Sequence, residues 1–193
     1  MLGKGDKQWN WRSTARNLAQ LMDHRRELGF ALLFLVVFAG LFSLYATARG
    51  TAVERLLIDV CTVKPSAALI GLITPSEQVV AMDHRLVSPQ ARLSILNGCE
   101  GIETMLLLVS AILAYARPWR AKFLGALAGI LLVYGLNQIR IVALYYAFRY
   151  NRELFDLLHG YAAPIIIIAC AGLYFLWWIE WHAPRTSDSA IAS

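Results

Sequence analysis

A chain of 193 residues with 58% hydrophobic and only 16% charged side chains, at a mean hydropathy of +0.52, does not suit a soluble domain of that size. It reads as an integral membrane protein, and its net charge of +5 fits basic loops at one membrane face rather than nucleic acid, since no phosphate-reading motif is present. Cys61, Cys99 and Cys170 form neither a metal-ligand spacing nor a disulfide framework, so no metal and no cofactor is expected.

The predicted elements begin with a basic leader over residues 1–28, carrying Lys4, Lys7, Arg12, Arg16, Arg25 and Arg26. Trp9, Trp11, Leu18, Leu21 and Met22 let part of it lie on a membrane surface as a helix, and a solvated tail is the alternative. A single transmembrane domain is expected over 29–182, with a polar, disordered tail over 183–193. The first membrane helix spans Phe30–Ala48, which holds no charge and is long enough to cross a bilayer. Ala46-Thr47-Ala48 resembles a signal-peptide cleavage site, but the leader is too long for an n-region and the apolar run too long for an h-region, so the helix is read as retained.

Residues 49–98 read as an extracytoplasmic segment. Val53–Val63 suggests a short amphipathic helix, Pro65 limits any helix beyond it, and Ser66–Ile73 is apolar but too short to cross. Val79–Met82 and Arg92–Leu96 lean towards strand, and Ser88-Pro89-Gln90 supplies a turn, which together predict a small β-hairpin. The second membrane helix is expected over 101–116, the third over 122–150 and the fourth over 161–181, with Pro164 near its start. In the third, Gly125 and Gly129 offer a face for close helix packing. The fold class is therefore an all-α polytopic membrane protein with about four transmembrane helices.

Basic residues set the expected orientation. The leader and the tight loop with Arg117, Arg120 and Lys122 should face the cytoplasm, which places both termini inside and residues 49–98 and 151–160 outside. Trp119, Trp177, Trp178 and Trp181 then fall at the inner interface, and Tyr145, Tyr146, Tyr150 and Tyr161 at the outer one.

Three residues on different membrane segments meet at that outer face. Asn97 is placed to cap the second helix with Glu100 as its capping-box partner, which puts Cys99 in the first turn, where the helix dipole favours thiolate. The alternative is an inert small residue in a helix start. Arg140 interrupts an uncharged run from Phe123 to Phe148, and a charge within a membrane helix costs about 2.5–3.5 kcal/mol, so it is expected to face the protein interior. It lies roughly 27 Å beyond Lys122, with Asn137 and Tyr134 on successive turns of the same face. Snorkelling, or an ion pair with Glu103, is the plainer reading. His159 falls in the short connection before the fourth helix, and His84 is a rival. Together they offer a nucleophile, an imidazole to take its proton and return it to a leaving amine, and a fixed cation for a developing oxyanion. The expected intermediate is a thioester, resolved by water or by an amine or hydroxyl acceptor.

Asn97-Gly98-Cys99-Glu100-Gly101, then Asn137-Gln138-Ile139-Arg140-Ile141, then His159, in this order on successive membrane segments, resembles the exosortase/archaeosortase family over roughly Leu93 to Trp181. The compact size and Pro118-Trp119-Arg120-Ala121-Lys122 look most like the short exosortase H type. Glu100 departs from the serine that many members carry after the cysteine. The resemblance implies a transpeptidase-like cysteine enzyme of the bacterial inner membrane, acting on exported proteins with a C-terminal sorting signal of motif, transmembrane helix and basic tail. It implies attachment to an acceptor, lipid or glycan being open, with Cys99 as nucleophile, His159 as acid/base and Arg140 as the oxyanion or positioning residue. Asn137, Tyr134, Glu100 and Glu103 are the supporting residues. Competing readings are a thiol–disulfide oxidoreductase pairing Cys99 with Cys61, although the spacing is not C-x-x-C, and a non-enzymatic assembly or transporter subunit in which Arg140 is structural.

Overall fold

The computed structural model describes residues 11–95 and 99–181, with side chains from His24 onward. The first ten residues, the tail from 182 and the expected cap Asn97 lie outside the described residues. Helix α1 runs from Trp11 to Ala48 without a break, so the leader and the first membrane segment form one helix of 38 residues rather than two units. The reason is local: Ala15, Leu18, Ala19, Gln20, Leu21 and Met22 are good helix formers, and no proline intervenes. Its apolar part, His24–Ala48, is long enough to cross a membrane, and Phe30, Phe34, Phe38 and Phe42 stack along it with centroids 5.8–6.4 Å apart.

Helix α2, Ala52–Ile73, is where the structure departs most from the expected elements. Its 22 residues form one helix, itself long and apolar enough to cross, instead of a short amphipathic helix and a fragment. Pro65 does not stop it. The turns before the proline, Leu56–Val63, widen to π geometry, and Lys64 N–H bonds to Asp59 O. Proline lacks the N–H that would meet Cys61 O, one helical turn back. That carbonyl accepts instead from Tyr134 Oη at 2.9 Å and Gln138 Nε2 at 3.4 Å, on a different helix. Ser66 Oγ donates to Gln138 Oε1 at 2.6 Å, closing the same junction.

A short turn at Pro75–Glu77 leads into a three-stranded antiparallel meander of β1 (Val80–Met82), β2 (Arg85–Val87) and β3 (Arg92–Ser94). The expected hairpin is present but gains a strand: β2 lies between the two anticipated runs and pairs with both. Asp83 sits at φ 50 in the tight β1–β2 turn, and Ser88 Oγ accepts from Ala91 N at 3.0 Å in the β2–β3 turn.

Helix α3, Ile102–Ala114, is only 13 residues, about 20 Å long, and packs against α1 and against the two later helices. Helix α4 is Trp119–Tyr150, and α5 is one helix from Arg152 to Trp181. Asn151 separates them as an N-cap, its Oδ1 accepting from Leu154 N at 3.0 Å. His159 therefore stands inside α5 and not in a connecting loop, which corrects the expected start near 161. Helix α3, expected as the second membrane helix, is too short to count among the four helices long and apolar enough to cross, a place that α2 takes instead. Helices α1, α3, α4 and α5 nevertheless alternate in direction. At one end Phe30 meets Tyr115 and Phe175, and Tyr115 meets Trp178; at the other, Tyr45 reaches Glu100 and Asn137 reaches Cys99. A Cβ at Gly125 would collide with Trp178 Nε1 and one at Gly129 would lie 2.7 Å from Leu108 Cδ2, so that face of α4 packs at contact distance.

The second half of α4 continues past Cys99 and carries α2 and the sheet on its side. Ile58, Val63, Ile70, Leu86, Leu93 and Tyr145 belong to that core, separate from the bundle core around Leu108, Ile112, Val133 and Trp178. Glu77 ties it together. Its carboxylate accepts from Tyr145 Oη at 2.9 Å and Tyr150 Oη at 2.8 Å, with Arg149 Nε at 3.8 Å. The Tyr150 and Tyr145 hydrogen bonds and the Arg149 charge hold this carboxyl below its ordinary pKa, against the opposing effect of desolvation.

Candidate active site

Cys99 does not occupy the first turn of α3. The helix begins at Ile102, with Gly101 as its N-cap at φ 76, and Cys99 lies in the bend before it. Only glycine takes that left-handed backbone without strain, and here it also admits a neighbour: a Cβ at Gly101 would lie 2.9 Å from Asn137 Cγ. Asn137, 1% exposed, uses that closeness to donate from Nδ2 to Cys99 O at 3.1 Å. The cysteine is thus positioned through its backbone by α4.

Cys99 Sγ lies 4.0 Å from His159 Nδ1. Leu158–Ala162 adopts π geometry, which shifts the register of α5 where the histidine sits. Phe155, one turn earlier, stacks on the imidazole with centroids 5.4 Å apart and an interplanar angle of 5°. Phe155 is in turn packed edge-on by Phe148, whose ring lies 3.7 Å from the Arg152 guanidinium carbon. A cavity of about 260 Å³ opens on the pair, its apolar wall made by Leu93, Ile95, Ile141, Leu144 and Phe155, and Ser94 lines it as well.

Arg140 is 9% exposed and lies one turn beyond Asn137 on α4. Its buried Nε finds no acceptor among the described residues, and no ion pair is formed there. The structure does not hydrogen-bond it to Cys99 or His159. Nor does it pair with Glu103, which meets Arg49 at 3.4 Å instead. Glu100 is 3% exposed and accepts a hydrogen bond from Tyr45 Oη, while its Oε2 has no partner among the described residues. Tyr134 serves α2 and is not part of the cluster. His84, the rival base, lines a different cavity of about 420 Å³ with Glu54, Asp59 and Asp83. No disulfide joins Cys61 to Cys99. Among the described residues no group of His, Cys, Asp and Glu side chains has the spacing to hold a metal ion.

Tyr45, Phe155 and Ser94 are site residues that sequence reasoning misses. Phe155 has a readable signal, four residues before His159, once Asn151 is taken as a helix cap. Tyr45 is a hydroxyl in an apolar run, which is a weak signal. Ser94 has none.

The transmembrane exosortase model (Exosortase_EpsH) matches residues 22–177, a range that contains Cys99, Arg140 and His159. Neither a curated protein nor a solved structure matches the chain. The chain belongs to the transmembrane exosortase family, a family of membrane transpeptidase-type proteins that act on exported proteins bearing sorting signals.

Proposed function

We propose that the protein is a cysteine transpeptidase that cuts C-terminal sorting signals from exported proteins at the extracytoplasmic face of the bacterial inner membrane. The observation that carries this reading is the 4.0 Å approach of Cys99 Sγ to His159 Nδ1 at the mouth of a largely apolar cavity, made by residues 60 positions apart. His159 takes the thiol proton, and the thiolate attacks the carbonyl carbon of the scissile peptide. The contact is long for a proton transfer and tightens when substrate fills the cavity, as apo catalytic contacts do. The protonated imidazole then delivers its proton to the leaving amine as the C–N bond breaks, leaving a thioester on Cys99. An amine or hydroxyl of a lipid or glycan acceptor, deprotonated by His159, attacks the thioester and frees the thiol.

Arg140 is assigned to the oxyanion or to a substrate carbonyl. A guanidinium in so dry a place, with no counter-charge among the described residues, is costly, and a ligand that brings negative charge offsets that cost. Asn137 positions Cys99 and Glu100 braces the same bend through Tyr45. The orientation rests on charge: Arg25, Arg26, Arg117, Arg120 and Lys122 lie at the end of the bundle away from Cys99, and the positive-inside rule puts that end and both termini in the cytoplasm.

The test is mass spectrometry of the new C-terminus of an exported protein carrying such a signal, co-expressed with the enzyme. Cys99→Ala and His159→Ala should remain in the membrane and leave it uncut, while His84→Ala cuts it normally. Full processing by Cys99→Ala, or loss with His84→Ala but not His159→Ala, would overturn the assignment.

A further inference from the structure

Among the described residues the sheet beside the site ends in an open edge: in the order β1-β2-β3, strand β3 has a neighbour on one side only. Its register with β2 pairs Leu86 with Leu93, and Ile95 N–H bonds to His84 O at 2.8 Å while Ser88 N–H bonds to Ala91 O at 2.8 Å. Antiparallel strands alternate hydrogen-bonded and non-bonded pairs. The residues turned towards β2 are therefore Ala91, Leu93 and Ile95, and the backbone N–H and C=O of Arg92 and Ser94 point away from the sheet. Edges of this kind are usually blunted or covered. This one lines the same cavity as the nucleophile, for Ser94 and Cys99 both border it.

We infer that the free edge of β3 docks the substrate as an added strand, with the backbone of Ser94 bonding the extended peptide next to the scissile bond. This rests on Cys99 being the nucleophile. The occupant is an uncharged, extended stretch of polypeptide. Its backbone satisfies the open donor and acceptor of Ser94, and its alternate side chains face the apolar wall of Leu93, Ile95, Ile141 and Leu144. Recognition through main-chain groups fixes where the carbonyl falls relative to Cys99 without dictating most side chains. The pocket of about 260 Å³ then excludes charged side chains at the one position that enters it.

Chloromethyl ketones test this directly. The thiolate sulfur bonds to the methylene carbon, the carbon–chlorine bond breaks and chloride leaves, while the thiol proton passes to His159. Full-length protein in detergent is treated with iodoacetamide, with an acetyl-alanine chloromethyl ketone and with its acetyl-tetra-alanine counterpart, and labelling of Cys99 is read by peptide mass. The longer ketone should react at least about tenfold faster than the shorter, the scale of one or two added hydrogen bonds. Ser94→Pro removes only an outward N–H, which an edge strand tolerates, and should erase that gain while iodoacetamide still labels Cys99. On wild-type protein, N-methylation of adjacent alanines should alternate in effect, one position slowing labelling about tenfold and the next hardly at all. Equal rates for the two ketones, a gain that survives Ser94→Pro, or methyl effects without alternation would overturn the inference alone. A Cys99 no more reactive with iodoacetamide than the exposed Cys61 would overturn the nucleophile assignment and this inference with it.

Discussion

Gly101→Ala probes the joint that sets the proposed nucleophile, Cys99. At φ 76 the left-handed backbone costs an alanine about 1–2 kcal/mol. Its Cβ would also lie 2.9 Å from Asn137 Cγ and 3.1 Å from Asn137 Oδ1, a clash with a side chain that is 1% exposed and has little room to retreat. Overpacking of that kind costs about 1–3 kcal/mol, so the sum of about 2–5 kcal/mol is a large part of a typical stability. The cheapest relief is for Asn137 to swing away, which breaks its 3.1 Å bond to Cys99 O and frees the bend. Displacements of about 1 Å at reacting atoms cost on the order of a hundredfold, so processing should fall by about that much in the fraction that folds. The assay is processing of the exported substrate together with the rate of Cys99 alkylation by iodoacetamide, with thermal unfolding in detergent beside them. Gly125→Ala supplies the contrast: its Cβ would collide with Trp178 Nε1 at the other end of the bundle, so it should lower the unfolding temperature and leave Cys99 alkylation unchanged. Wild-type turnover by folded Gly101→Ala would refute the claim that this joint positions the sulfur.

The same geometry sets two other outcomes. Arg140→Lys should lose most of its activity, about 10²-fold or more, because an ammonium cannot present the planar donor fork of a guanidinium; wild-type rates would mark Arg140 as structural. Glu77 has a folded pKa below its unfolded one, so its contribution is fully present above the unfolded value near pH 4.5 and is lost as pH falls through the folded value. Wild-type protein should therefore lose thermal stability on acidification over that range, and Glu77→Gln, already weaker at pH 7, should show a smaller loss; identical pH profiles would show that the Tyr145–Tyr150–Arg149 cluster does not stabilise the ionised form.

The residues that carry the proposed chemistry are legible because each breaks a local pattern. Arg140 and Asn137 stand out in an apolar run, and Cys99 and His159 flank apolar runs on either side. What the sequence hides is non-local. Pro65 reads as a helix stop because its cost is visible in the chain, while the relief comes from Tyr134 and Gln138 on another helix, far along the chain. Strand β2 has three residues and too little alternation to announce itself, and its pairing comes from neighbours on both sides. Glu77 is unremarkable until Tyr145 and Tyr150 close on it. The bend at Cys99 reads as a capped helix turn because Asn97 and Glu100 match a capping box, while the helix itself begins only at Ile102, after Gly101 at φ 76.

The two prolines share one device, and that bears on the site. In α2 the residue before Pro65, Lys64, donates to Asp59 O; in α5 the residue before Pro164, Ala163, donates to Leu158 O. Both bonds reach one residue further back than in a regular helix, and both close a π run that ends two residues before the proline. A proline cannot bond to the carbonyl one turn back and its ring crowds that carbonyl, so widening the preceding turns relieves both problems. In α5 the widened run contains His159, and each residue of register corresponds to about 100° of rotation about the helix axis. Pro164→Ala restores an N–H for Gly160 O and removes the reason for the wide turn. If the helix then regularises, His159 turns away from Cys99 and activity should fall about 10²-fold, even though the helix itself gains stability. Such a variant, more heat-stable yet slower and with slower Cys99 alkylation, would tie the register of α5 to the chemistry. Full activity with higher stability would show instead that Phe155 stacking alone holds the imidazole over the sulfur.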